Sequence, residues 1–207
     1  MSAALKLELP SQPKLISVEE YLAAEEKAQH KHEYVGGEVY AMAGSRNVHN
    51  RVAMNFLARL HAMLRGKLCQ PYNSDTKVRI QMPTHTRFYY PDGMVVCQPN
   101  GPNEVFNDRP VVIGEVLSKS TRRIDTREKR EGYLTIPTLT DYLLIETEKA
   151  LVTVYHRMPE GFVTQVYEGL EATLPLDSIG VKLPLAELYE SIDFEAAKRD
   201  EAAEDDS

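Results

Sequence analysis

Apolar positions along the chain change period several times, and each change marks an element. Ser17 and Glu20 form an S-x-x-E capping box, which predicts a helix over residues 18–29. Glu33-Tyr34-Val35 and residues 38–42 flank Gly36-Gly37, the pattern of a β-hairpin whose two-residue turn needs positive φ. Val48, Val52, Phe56, Leu60 and Met63 then recur at helical spacing and predict a longer helix over 47–64, with Gly66 at its C-terminal cap. After it the pattern becomes strand-like. Residues 76–82 alternate, 87–97 read as one second strand, and 110–117 are apolar on both faces except at Gly114 and Glu115. Asp125 with Glu128 predicts a helix start, with the helix reaching about residue 135 before Pro137. A buried strand over 142–145, a hairpin of 151–156 with 162–167, and a last helical turn over 184–189 complete the pattern. From Asn47 the order is helix, three strands, helix, strand. It predicts a mixed α/β domain with a central sheet, preceded by a helix and hairpin and followed by a hairpin extension.

The formal net charge of −7 argues against a nucleic-acid partner until its distribution is considered. Residues 193–207 hold seven acids and two bases, so most of the excess lies in the tail and the body is near neutral. The chain therefore divides into an extension over 1–16, a domain over 17–192, and an acidic tail over 193–207 expected to be disordered. No run of about eighteen apolar residues exists to span a membrane, and the first residues lack a signal peptide's apolar stretch, so a cytoplasmic protein is expected. In that reducing compartment Cys69 and Cys97 are expected as separate buried thiols.

Two acids stand out because of where they sit. Asp92 lies in YYPDGMVVC and Glu115 in PVVIGEVLS. A carboxylate in an apolar strand costs several kcal/mol unless it is paired or holds a metal. Either acid alone reads as half of a buried ion pair. Two on consecutive strands favour a shared cation, and oxygen ligands without thiolates favour Mg²⁺ or Mn²⁺. Just beyond Glu115, Lys119, Arg122, Arg123, Arg127, Lys129 and Arg130 face only Asp125 and Glu128, a cationic stretch suited to phosphate. It reads equally as a solvated helix face. The strand tyrosines and Phe88 read as packing residues.

The stretches KHEYVGGEVYAM, Ser45 to His49, YYPDGMVVC, VVIGEVLSKSTRRIDTREKREGY and DYLLIETEKALVTVYHR, in that order, resemble the PD-(D/E)XK nuclease superfamily, and within it the bacterial "putative restriction endonuclease" family. The resemblance implies a restriction-endonuclease-like core and a Mg²⁺-dependent endonuclease, with Mn²⁺ able to substitute. It implies nucleic acid as the partner, DNA foremost, requires no membrane, and leaves room for a homodimer. It assigns Asp92 and Glu115, with the main-chain carbonyl of Val116, to the metal. The superfamily's lysine position falls on Leu117, and the resemblance moves that role to Lys129 on the following helix, with Lys119 as the rival. Glu33 and His49 match accessory positions, and Arg122, Arg123 and Arg127 would contact phosphate. The alternative reading is a non-catalytic nucleic-acid- or protein-binding module that retains the fold.

Overall fold

The computed structural model describes residues 15–42, 44–119 and 121–196. Helix α1 (Val18–Glu25) starts at Ser17 with both hydrogen bonds of the capping box in place and is shorter than the pattern predicts. Its buried Tyr21 donates to the His32 carbonyl at 2.6 Å and stacks on Tyr34, which ties the helix to the hairpin of β1 (His32–Val35) and β2 (Glu38–Ala41). The hairpin turns through Gly36 and Gly37 at φ 58° and 108°. Helix α2 (Asn47–Leu64) buries Val52, Phe56, Leu60 and Leu64, a ridge at every fourth residue.

The strands that follow divide between two sheets. β3 (Gln70–Asn73) precedes the β4 (Lys77–Gln81) and β5 (Thr86–Tyr89) hairpin. β6 (Gly93–Val96), the two-residue β7 (Phe106–Asn107) and β8 (Pro110–Val116) come next. A π-helical turn (Ile124–Lys129) runs directly into α3 (Arg130–Tyr133) and is followed by β9 (Asp141–Ile145). β10 (Leu151–Met158) and β11 (Gly161–Glu168) form a long hairpin. β12 (Thr173–Leu176), β13 (Val181–Pro184) and the short α4 (Leu185–Leu188) close the described chain. The central sheet has the order β11-β10-β9-β8-β6-β3, and a second sheet has the order β2-β1-β5-β4-β7.

The helix–three strands–helix–strand order holds, but its strands are not the expected ones. Residues 87–97 are two strands, because the chain leaves the second sheet after Tyr89 and enters the central sheet at Gly93. Pro91 has no N–H to continue a ladder, and the break falls there. The expected first core strand, 76–82, pairs with β5 in the second sheet. The strand that borders β6 instead is β3, whose sequence QPYN carries two residues depleted in strands. β3, β6 and β8 run antiparallel, and β9 returns parallel to β8 after the crossover through α3.

The face of the central sheet that carries Val95, Val112, Val116 and Leu143 packs against α2. The opposite face carries Met94, Ile113, Leu117, Tyr142 and Leu144 and is covered by Tyr133, Leu139 and the second sheet. Alternation puts Glu115 on this second face. Gly114 permits the close approach of α2, since a Cβ there would lie 2.6 Å from Phe56 Cε1 and 2.9 Å from Cζ. Gly114→Ala is therefore expected to destabilise the protein by about 1–3 kcal/mol through overpacking. Chemical denaturation would check it, and an unchanged midpoint would show that Phe56 swings aside at no cost.

Cys69 and Cys97 are not separate thiols. They are bonded to each other, one step beyond the Gln70–Val96 pair of β3 and β6. Residues facing each other across antiparallel strands come close whatever their separation in sequence, and the sequence reading had no β3 to bring them together. Among the described residues no helix is long and apolar enough to cross a membrane. Most of the acidic tail lies outside the described residues. Its first aromatic, Phe194, packs on Tyr189 with ring centroids 5.4 Å apart.

Candidate active site

Asp92 and Glu115 are locked together by their backbones. The Asp92 amide donates to Glu115 Oε2 at 3.3 Å, and the Val116 amide donates to Asp92 Oδ2 at 2.7 Å. Each acid thus accepts an N–H from the strand end that carries the other. Asp92 takes its position from the turn between the two sheets, and Glu115 takes its own from β8. Glu115 Oε1 accepts from the Tyr133 hydroxyl at 2.9 Å and lies 3.3 Å from Lys129 Nζ.

Lys129 is the centre of a larger cluster. Its ammonium lies 2.9 Å from Glu33 Oε1, 3.3 Å from Glu115 Oε1 and 3.5 Å from Asp125 Oδ1. Glu33 arrives from β1 and also accepts the Tyr90 amide at 3.2 Å, which ties the hairpin to the Tyr90-Pro91-Asp92 turn. Asp125 and Lys129 sit four residues apart on the π-helical turn, and Tyr133 follows four residues later on α3. π-helical turns recur at functional sites, where the wider turn redirects side chains. Tyr142 fixes this one by donating to the Asp125 carbonyl at 2.9 Å.

Glu115, Asp125 and Lys129 are 2%, 2% and 6% exposed, so their charges act in a poorly hydrated space. Burial pushes the Glu115 carboxyl well above the usual range, with Lys129 opposing, and raises Glu33 and Asp125 in the same way. Burial disfavours the Lys129 cation, yet Glu115, Glu33 and Asp125 outweigh it and hold the ammonium protonated. His49, from the first turn of α2, has Nε2 3.2 Å from Asp92 Oδ2. Burial lowers the His49 pKa, but the hydrogen bond to Asp92, its charge, Asp125 and the Val116 main chain together raise it.

The donor set fits a hard cation. Glu115, Glu33 and Asp125 surround one ammonium, and Asp92 joins Glu115 through its amide, so the oxygens gathered here are those of carboxyl groups. Asp125 Oδ1 is buried and, among the described residues, has no hydrogen bond beyond its 3.5 Å ion pair with Lys129. No three His, Cys, Asp or Glu side chains among those residues form a ready-made metal cage.

The cluster forms the floor of a cavity of about 420 Å³ between the β1–β2 hairpin and the π-helical turn. A larger, more open concavity of about 930 Å³ beside the start of α2 contains none of these carboxylates. The remaining sequence candidates lie further out. Lys119 is exposed at the end of β8, away from the cavity lining. Arg122 forms two short bonds to Glu146, at 2.7 and 2.6 Å. Arg123 is exposed and lines the cavity, whereas Arg127 is exposed outside the lining. Phe88 and Tyr89 are core residues.

Two members of the cluster went unmarked in the sequence reading. The pattern predicts Asp125 as the start of a helix, but Arg123 occupies that capping position and Asp125 is buried in the turn itself. Tyr133 does not stand out in the apolar pattern. Their signal is the spacing Asp125, Lys129, Tyr133, a polar stripe along one face of the segment that crosses between parallel strands.

The family model Uma2, described as "Putative restriction endonuclease", matches residues 18–186. An uncharacterized protein of Synechocystis sp. (strain ATCC 27184 / PCC 6803 / Kazusa), slr1290, is 34% identical over 184 residues, 88% of this chain and 95% of that protein. A second from the same organism, sll1609, is 34% identical over 138 residues, 64% of this chain and 76% of that one. The crystal structure of a "putative nuclease belonging to DUF820" from Anabaena variabilis ATCC 29413 superposes with a TM-score of 0.66 at 16% identity, over 84% of this chain and 97% of that one. The architecture is that of a restriction-endonuclease-like nuclease fold.

Proposed function

Because the chain belongs to the Uma2 family of restriction-endonuclease-like proteins, we propose that it is a Mg²⁺-dependent endonuclease that hydrolyses phosphodiester bonds of nucleic acid, specifically DNA, with Mn²⁺ able to replace Mg²⁺. The observation that carries this reading is the convergence of Asp92, Glu115 and Lys129 on the floor of one cavity.

Asp92, Glu115 and the main-chain carbonyl of Val116 would hold the ion. The chemistry it supplies when bound is Lewis acidity toward a phosphate oxygen and toward water. Lys129 directs its ammonium at the space beside Glu115, where it orients the attacking water and stabilises negative charge as it develops on phosphorus oxygens. Water attacks phosphorus in line with the departing oxygen and gives up a proton to solvent, and as the P–O bond breaks the departing oxygen takes up a proton from solvent, with no covalent intermediate on the protein. Tyr133 keeps Glu115 oriented, and Glu33 keeps Lys129 and the Tyr90-Pro91-Asp92 turn together. Arg123 stands at the lining, where an incoming phosphate would meet it.

Titration with Mg²⁺ or Mn²⁺ followed by melting tests this directly. At a hundred times the dissociation constant a ligand adds about 2.7 kcal/mol, which for a chain of this size raises the melting temperature by roughly 5–10 °C. The same protein, given mixed nucleic acids and Mn²⁺, should produce fragments. Metal binding without cleavage would favour a binding module that keeps the fold. The absence of both would remove the nuclease reading.

A further inference from the structure

We propose that the DNA strand this site cuts is unpaired, and that the exposed ring of Tyr40 and the side chain of Ile124 form the seat for a splayed-out base above the acid cluster. The inference rests on the nuclease reading and adds a substrate class to it.

The shape of the site is the first argument. Glu115, Asp125 and Lys129 are almost fully buried, and together with Glu33 and the part-exposed Asp92 they line a cavity of about 420 Å³. That is the volume of a pocket for one small ligand. In a double helix the phosphates lie on the outside of a stiff cylinder much wider than such a pocket, with bases paired inward. A single unpaired nucleotide can bend its phosphate to the floor while its base occupies the wall.

The chemistry of the wall is the second argument. Duplex backbones are held by Lys, Arg and polar groups that neutralise phosphates. Here the hairpin contributes Val35, Tyr40 and Met42, and the π-helical turn contributes Ile124 from the other side. Tyr40 is 50% and Ile124 40% exposed, whereas the other tyrosines of the neighbouring strands are buried. Apolar and aromatic surface of this kind suits the face of an unstacked base.

Charge at the mouth is the third. The Tyr40 hydroxyl donates to Glu38 and lies within electrostatic reach of Glu128 across the opening. Glu128 at the lining and Glu38 beside Tyr40 repel the paired phosphate rows of a duplex. They oppose less strongly a strand that turns its base toward Tyr40 and its phosphate inward to Lys129 and Arg123.

The test uses one DNA oligonucleotide, alone and annealed to its complement. Binding is measured with Ca²⁺ and cleavage with Mn²⁺, for the wild type and for Tyr40→Ala. The single strand should be cut at least about tenfold faster than the duplex. Tyr40→Ala should weaken single-strand binding by about 5- to 150-fold, the range of base–aromatic stacking. Its melting temperature should not change, because the ring is half exposed. A 2-aminopurine base in the strand should be quenched on binding to the wild type and not on binding to Tyr40→Ala. Duplex cleavage as fast as single-strand cleavage, with no effect of Tyr40→Ala, overturns the inference and leaves the nuclease reading intact. Cleavage of neither substrate overturns both.

Discussion

Asp92→Ala is expected to lower Mn²⁺-supported cleavage by about three orders of magnitude, the equivalent of ~4 kcal/mol of lost transition-state stabilisation. The prediction follows from the position of Asp92 at the join between the two sheets. Its carboxylate faces the Glu115 strand end, accepts the Val116 amide at 2.7 Å and lies 3.2 Å from His49. The fold should survive. Asp92 is the most exposed of the cluster's acids, with 19% of its side chain accessible. Its one strong hydrogen bond contributes about 1 kcal/mol. Activity and stability therefore separate, and the measurement is single-turnover cleavage alongside a melting curve. A variant that folds, fails to bind Mn²⁺ and does not cut fits the assignment. One that still cuts at a tenth of the wild-type rate would mean the metal is held elsewhere.

Lys129→Met should have the largest effect on stability, about 3–5 kcal/mol, because breaking a buried ionic cluster from one side leaves the other charges uncompensated. For a chain of this size that corresponds to a fall in melting temperature of roughly 6–20 °C. Methionine fills a similar volume, so the loss is electrostatic rather than a cavity effect. The argument makes a further demand. Glu33→Gln in the same chain removes the carboxylate 2.9 Å from Nζ and should recover part of the loss. Lys149→Met, which breaks an exposed pair with Glu168, should cost less than about 1 kcal/mol. Equal effects of Lys129→Met and Lys149→Met would show that the cluster does not depend on the ammonium.

Several features of this protein could be read from local sequence, and the reasons are local. The capping box of α1, the Gly36-Gly37 turn, and α2 from Asn47 to Leu64 each depend on residues within a few positions of one another. The apolar run around Glu115 marked a buried strand for the same reason, since burial on both faces leaves no alternation. An acid inside such a run called for a partner or a metal, which singled out Glu115 on energetic grounds. The choice of Lys129 over Lys119 came only through family resemblance. In the structure the crossover segment folds back over β8 and brings Lys129 to 3.3 Å from Glu115, whereas the strand has ended before residue 119.

The sequence by itself determined α1, α2, the Gly36-Gly37 hairpin, the buried strand around Glu115 and the long hairpin of β10 and β11, and which charged residues could not be left alone in the interior. Tertiary structure decided which strands share a sheet. Strand pairing joins residues far apart in the chain, and β3, with proline and asparagine in four residues, forms only because β6 offers it an edge. The same long-range pairing brought Cys69 to Cys97 and split 87–97 between two sheets at Pro91. It also completed the candidate site. Glu33 comes from the hairpin, Asp92 from the inter-sheet turn, Glu115 from β8, and Asp125, Lys129 and Tyr133 from the crossover. No periodicity within one segment reports a cluster assembled from four, because the energy that gathers it, charge compensation among buried groups, exists only after the chain has closed around it.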